Sequence, residues 1–180
     1  MRKETQDWLT DQHLILFGRI IQWFARHEVL MQEIMATVSG ADATSIKLMT
    51  NTLSFAEKRD ALLNLLHHRA VQIGRIDRIR EHLEVPHTFT ALRDDIAHSM
   101  WIEGKPENLI SPAWLTDGPL TAIKPLHDIG GNTQPFIEGY EDKVTYTLDE
   151  LREIYENLKN NYVRFHEYSD EIGFVSSSAL

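Results

Sequence analysis

Hydrophobic residues recur at steps of three and four along much of this chain, a spacing that predicts amphipathic helices. The longest helix is predicted over 12–38, where Ser39-Gly40 supplies a stop signal. Its apolar stripe comprises Phe17, Ile20, Ile21, Phe24, Met31, Ile34, Met35 and Val38. Such a long stripe predicts that this helix contributes much of the core.

Three further helices are predicted before residue 102. One spans 54–68 and opens on Ser54 with Glu57 three residues later, the pattern of a capping box. A short helical turn over 42–51 precedes it. The next helix spans 75–84, and Pro86 predicts a break before another over 88–101.

The amino-acid composition changes between residues 104 and 146, where prolines and glycines are concentrated and no continuous helix is expected. Residues 108–115 and 120–126 could pair there as strands, with 143–147 as a third strand. A closing helix is predicted from Thr147 to about residue 170, and Glu150 completes a second capping box. The predicted fold is therefore a mainly α bundle of four to five helices, forming one domain over 1–180, with a Pro/Gly-rich insertion that holds a small β-hairpin or three-stranded sheet.

Composition fits a soluble globular protein, since 42% of the 180 residues are hydrophobic and 25% are charged. No stretch approaches the roughly 18 apolar residues of a membrane-spanning helix, and the N-terminus lacks a secretory pattern. Cysteine is absent, which excludes disulfides, thiolate metal sites and cysteine nucleophiles. We expect a cytoplasmic protein without membrane partners.

The chain has a formal net charge of -9, and its charged residues are unevenly distributed along the sequence. This value argues against a general nucleic-acid coat protein, because phosphate binding relies on Lys and Arg. Residues 57–80 carry a modest basic excess, whereas acidic residues dominate 138–171. Both stretches are interpreted chiefly as solvated helix faces.

The strongest chemical signal is Arg93-Asp94-Asp95-Ile96-Ala97-His98. A histidine with an unperturbed pKa of about 6.5 can take a proton from a ribose 2'-hydroxyl or return one to a leaving oxygen. An arginine can hold a phosphate in a fixed, two-pronged geometry. Together they are candidates for cutting RNA without a metal.

Helical geometry places these side chains unequally. Five residues correspond to about 500 degrees of rotation, so Arg93 and His98 point roughly 140 degrees apart. Asp94 and His98 are i, i+4 neighbours, and a hydrogen bond between them is expected. The alternative interpretation is a structural ion-pair network of Arg93, Asp94, Asp95 and His98 at a helix interface.

The order of helices and the Arg-x4-His motif with Trp101 just downstream resemble the HEPN superfamily over 12–103 and 147–172. The family signature is an arginine, a polar residue, a short spacer and a histidine, which Arg93, Asp94 and His98 match. The resemblance implies a helical bundle, often dimeric, in which two motifs meet at the subunit interface as one ribonuclease site. Many members act in toxin-antitoxin, antiphage or RNA-processing systems.

Carried over to this chain, the resemblance makes His98 the general acid or base and Arg93 the ligand of the scissile phosphate. Asp94 would orient one of them, where the commoner pattern has asparagine. The implied partners are a second copy of the chain, RNA, and an antitoxin or other partner protein. Because a carboxylate repels phosphate, a non-catalytic HEPN-like module that binds a partner protein or nucleotide is the alternative function.

No cofactor or metal is predicted. Asp95 and His98 have the carboxylate-histidine spacing of di-iron bundles, but such a site also needs a second pair and glutamates from two further helices. Gly130-Gly131-Asn132 lacks the Lys-Ser or Lys-Thr of a phosphate-binding loop and is interpreted as a turn.

Overall fold

The computed structural model describes residues 9–98, 101–103, 110–112 and 146–175. Within these ranges the chain is mainly helical, as predicted. The elements are α1 (Asp11–Ser39), α2 (Ala43–Thr50), α3 (Phe55–His68), α4 (Ile73–Thr88), α5 (Thr90–His98), β1 (Trp101–Glu103), β2 (Ile110–Pro112) and α6 (Leu148–Glu171). The described residues thus form six helices rather than four to five, because the turn expected over 42–51 is a separate helix.

Four helices close a bundle around one core. The long helix α1 packs on α6 and α3, and α4 contacts both α3 and α6, so that contacts run around the ring. The shorter helices α2 and α5 attach to α1. The largest fully buried side chains are Phe24, Phe165, Ile20, Leu30, Met31, Ile34, Leu62, Leu66, Ile76, Ile79, Leu83 and Leu151. Ile20, Phe24, Met31 and Ile34 belong to the apolar stripe predicted for the first helix, whereas the buried Leu30 was not part of it. Burial of this stripe accounts for much of the core.

Both predicted capping boxes are confirmed. The Ser54 hydroxyl accepts from the Glu57 amide at 3.3 Å, and the Glu57 carboxylate accepts from the Ser54 amide at 2.7 Å. The Glu150 amide donates to the Thr147 hydroxyl at 3.1 Å, and its carboxylate accepts the Thr147 amide at 2.6 Å. These bonds satisfy amides that have no partner inside the helix, which fixes where α3 and α6 begin.

The stop predicted for the first helix is also confirmed. Gly40 has a φ of 76°, and its amide donates to the Ala36 carbonyl at 2.9 Å. A left-handed residue at this position costs little only when it is glycine, so α1 ends here.

The break predicted at Pro86 is wrong. Helix α4 continues through Pro86 to Thr88, and the chain bends at Phe89, whose amide donates to the Pro86 carbonyl at 3.0 Å. Proline lacks the N–H that would bond to the His82 carbonyl, and its ring crowds that preceding turn, but it leaves residues 87 and 88 able to continue the helix. The next helix is correspondingly shorter than the predicted 88–101, and Trp101 lies on a strand.

The two strands form a short antiparallel ladder in which Ile102 pairs with Ser111. Residues 110–112 fall within the predicted strand 108–115, but their partner is β1. The proposed partner 120–126 lies outside the described residues. Tyr146, from the predicted third strand, forms a single bridge with Ile110.

One buried ion pair joins α1 to α3. The Lys58 ammonium lies 2.7 Å from the Glu28 carboxylate, and the Lys58 and Glu28 side chains are 7% and 22% exposed. A lysine this deep in a protein is rare unless it is paired. The pair therefore fixes the packing of α3 against α1.

Candidate functional site

The helix that carries the Arg-x4-His motif is short and docked on one side. Leu92 is buried, and Ile96 packs partly buried against the core. The Thr90 hydroxyl donates to the His87 carbonyl at 2.8 Å, which joins the start of α5 to the end of α4. Contacts with α1 and α4 thus hold α5 on the surface of the bundle.

Arg93 and Asp94 bind each other. The Arg93 Nη1 atom donates to Asp94 Oδ1 at 2.7 Å, and the two side chains are 39% and 61% exposed. Among the described residues, no hydrogen bond joins Asp94 to His98, although the sequence predicted one. A guanidinium presents several N–H donors to a carboxylate and always carries a positive charge, so Asp94 pairs with its neighbour.

His98 is the last residue of α5, and its side chain is exposed. It lies about 7.5 Å further along the helix axis than Arg93, because each residue adds about 1.5 Å. The structure therefore brings Arg93 and Asp94 together and leaves His98 at the end of the same helix, open to solvent. Asp95 is partly buried beside them.

Trp101 has a packing role that its predicted place on a helix did not suggest. Its ring lies 4.7 Å from that of Phe17 on α1 and 6.1 Å from that of Tyr146. These contacts anchor the chain to the bundle three residues after His98. The described chain is therefore packed on the bundle both before His98, through α5, and after it, through this aromatic cluster.

The basic excess over 57–80 does not form a free cationic patch. Arg59 contacts Asp60 and Glu84, and Arg80 contacts Asp77. Arg78 pairs with Glu81, and Lys58 forms the buried pair with Glu28. Most of these charges are neutralised locally, which agrees with their interpretation as helix-surface charges.

Buried histidines are the polar feature that sequence reasoning missed. His27 is fully buried, His166 is 4% exposed and His82 is 8% exposed. The His82 ring stacks on Phe165 with 5.4 Å between centroids. The signal was available for His27, since positions 20, 24, 27, 31 and 34 share one face of α1.

His27 contacts its own helix α1 through one ring nitrogen and α6 through the other. Its Nδ1 lies 2.7 Å from the Trp23 carbonyl, and its Nε2 lies 3.0 Å from Asn161 Oδ1. Burial lowers the pKa of His27, an effect that the hydrogen bonds to Trp23 and Asn161 oppose only in part. A neutral ring carries its proton on Nδ1, facing the carbonyl, and then accepts from an Asn161 amide turned by 180°.

Acid should destabilise the fold by protonating His27 and His82. Burial also lowers the pKa of His82, so the unfolded chain, with histidine pKa values near 6.5, binds protons that the folded chain does not. Stability is therefore complete above about pH 7 and falls as the pH drops below about 6.5, by at most about 1.4 kcal/mol per pH unit for each histidine. Urea unfolding between pH 7.5 and 5.5 measures this slope.

The matched variants are His27→Gln and His68→Gln. His68 is exposed at the end of α3 and serves as the control for replacing a histidine outside the core. His27→Gln should flatten the slope whatever its effect on absolute stability. An unchanged slope in His27→Gln would show that His27 does not contribute.

The described part of the chain offers neither a cluster of metal-binding side chains nor a helix suited to a membrane. No group of three or more His, Asp or Glu side chains there is placed to hold a metal ion. No helix there combines the length and apolar character needed to cross a membrane.

Comparison of this chain with family models, with curated proteins and with solved structures found no match. The geometry of α5 and its surroundings is therefore the basis for a functional proposal.

Proposed function

We propose that this protein is a HEPN-like, metal-independent endoribonuclease. The observation that supports it most is the exposed His98 imidazole on the same nine-residue helix as the Arg93 guanidinium. Regulation by an antitoxin or other partner protein, as in the systems to which many HEPN proteins belong, is part of the proposal.

In the proposed reaction, His98 transfers protons and Arg93 stabilises negative charge on the phosphate. His98 accepts the proton of a ribose 2'-hydroxyl as its oxygen attacks the adjacent phosphorus, and the bond from phosphorus to the 5'-oxygen breaks. The 5'-oxygen leaves with a proton supplied by an imidazolium, and a 2',3'-cyclic phosphate remains. Arg93 stabilises the additional negative charge on the phosphate oxygens.

A dimer would resolve the divergence of Arg93 and His98 within one chain. With the two side chains roughly 140 degrees apart on a helix, the arginine of one copy can serve the histidine of the other. Two histidines across a twofold axis could then act as base and acid. Asp94 occupies one edge of the Arg93 guanidinium, which has five N–H donors and retains others for phosphate.

The test is cleavage of single-stranded RNA by the purified protein in EDTA. We expect products that end in 2',3'-cyclic phosphate, and no cleavage at a site whose ribose is replaced by 2'-deoxyribose. Cleavage of the deoxy-substituted site would exclude the proposed nucleophile. Absence of cleavage by a folded, dimeric protein would count against the ribonuclease itself.

The Arg93–Asp94 ion pair supports a second candidate, a non-catalytic HEPN-like module that binds a partner protein or a nucleotide. A guanidinium neutralised at 2.7 Å by its neighbour binds phosphate less strongly than a free one. This candidate predicts no RNA cleavage by the wild type or by Asp94→Asn. Cleavage by the wild type would exclude it.

A further inference from the structure

A groove of about 390 Å³ lies between the end of α4 and the middle of α6. Its lining includes Thr88, Phe89, Asn157, Asn160, Asn161 and Arg164. None of the described residues that line it is acidic, although acidic residues dominate this part of the sequence. The groove is therefore an amide-rich, locally cationic site on an acidic chain.

Three of the lining side chains are available to a ligand. Within the described residues, Asn157, Asn160 and Arg164 make no side-chain hydrogen bond or ion pair, and all three are exposed. Arg164 differs in this from Arg59, Arg80 and Arg152, each of which pairs with an acid. The groove thus presents two uncommitted amides and one uncommitted guanidinium.

Asn161 gives the groove a fixed point. Its amide is tied to the fully buried His27 at 3.0 Å while the residue also lines the groove. Phe89 adds an aromatic side chain from the bend between α4 and α5. A fixed amide and an aromatic ring favour a planar polar ligand over a flexible chain.

The charges of the groove indicate which part of a nucleotide it would hold. The C-terminal end of α4 carries a partial negative charge, which opposes a phosphate but favours amino and hydroxyl donors. Asparagine amides bind both the acceptor and the donor on the edge of adenine, and aromatic side chains stack on unpaired bases. Arg164, one helical turn from Asn160, can reach the phosphate that follows the base.

We propose that this groove binds an unpaired base of single-stranded RNA, with adenine favoured, as a substrate subsite of the proposed ribonuclease. The inference rests on that proposed function for its substrate. Phe89 precedes α5, and its carbonyl accepts from the Arg93 amide at 3.0 Å, so the groove adjoins the first turn of the helix that ends at His98. The separation along α5 is about 13 Å, or about four stacked nucleotides.

Binding can be measured without cleavage. The probe is a fluorescent eight-nucleotide 2'-O-methyl RNA, which lacks the attacking hydroxyl, as oligo-A and as oligo-U, and anisotropy gives the Kd. Asn160→Ala is expected to weaken oligo-A binding by about 5- to 150-fold and to reduce the preference for A over U. Arg164→Ala should weaken both probes, because its target is the phosphate.

Arg75→Ala is the matched control for Arg164→Ala. Arg75 is also an exposed arginine, but it lies in the first turn of α4, far from the groove, and its loss should leave the Kd unchanged. Equal effects of the two arginine variants on Kd would show that each arginine acts only through the overall charge of the protein. That outcome would overturn the proposal. The proposal would also be overturned if Asn160→Ala bound both probes with the Kd of the wild type, or if the wild type bound neither probe.

These outcomes separate this inference from the proposed function. Cleavage with unaltered KM in both groove variants would overturn the subsite and leave the ribonuclease standing. Groove-dependent binding of the probe without cleavage of ordinary RNA would support the groove and count against catalysis.

Discussion

Replacing His98 with alanine is expected to slow RNA cleavage by at least about 100-fold, because one positioned acid or base contributes about 10² to 10⁴ in rate. The side chain is exposed at the end of α5, so its removal leaves no cavity in the core. The measurement is kcat/KM on one RNA in EDTA, with the circular dichroism spectrum and the unfolding midpoint as checks on the fold.

His68→Ala is the matched control for this experiment. His68 is likewise the exposed last residue of a helix, α3, and it has no place in the proposed chemistry. Its replacement should leave kcat/KM within twofold of the wild type. If a folded His98→Ala protein retained wild-type activity, the proposed mechanism would be wrong.

Lys58→Ala is expected to lower the free energy of unfolding by about 3 kcal/mol, near the lower end of the range for breaking a buried ion pair. The variant leaves the Glu28 carboxylate, partly shielded from water, without the ammonium that lies 2.7 Å away. Because 22% of the Glu28 side chain remains exposed, water offsets part of the loss. Urea unfolding at pH 7.5 measures the difference.

Two comparisons separate the lost charge pair from lost packing. Lys58→Met together with Glu28→Leu removes both charges and should recover most of the stability, since hydrophobic replacements of buried pairs are often neutral. Arg152→Ala breaks the exposed Arg152–Asp149 pair of α6 and should cost less than about 1 kcal/mol. Equal losses in Lys58→Ala and Arg152→Ala would contradict the proposed importance of burial.

Sequence patterns predicted the bundle well where one local rule acts alone. The apolar stripe of α1, its end at Gly40 and the capping boxes at Ser54 and Thr147 are each set by neighbours within a few residues. The rule failed at Pro86, because a proline removes a hydrogen bond from the turn before it and does not prevent the next residues from continuing the helix. Local chemistry predicts where helices begin more reliably than where a proline ends one.

The site was less predictable because its contacts join distant parts of the chain. The motif predicted which side chains share α5, but the Asp94 partner depended on a competition between Arg93 and His98 that spacing does not decide. The His27–Asn161 contact and the groove beside it join α1, α4 and α6. Only the packed bundle brings Asn157, Asn160 and Asn161 of α6 to the end of α4.

The bridge between Ile110 and Tyr146 has a consequence for how this chain tolerates change. The amide of each residue donates to the carbonyl of the other, at 3.0 and 2.9 Å, so two residues that are 36 positions apart in the sequence are held side by side. Once two ends are tied together, doubling the intervening length costs only about 0.6 kcal/mol in closure entropy. A change in the number of residues between Pro112 and Tyr146 therefore alters the closure free energy of this bridge only slightly.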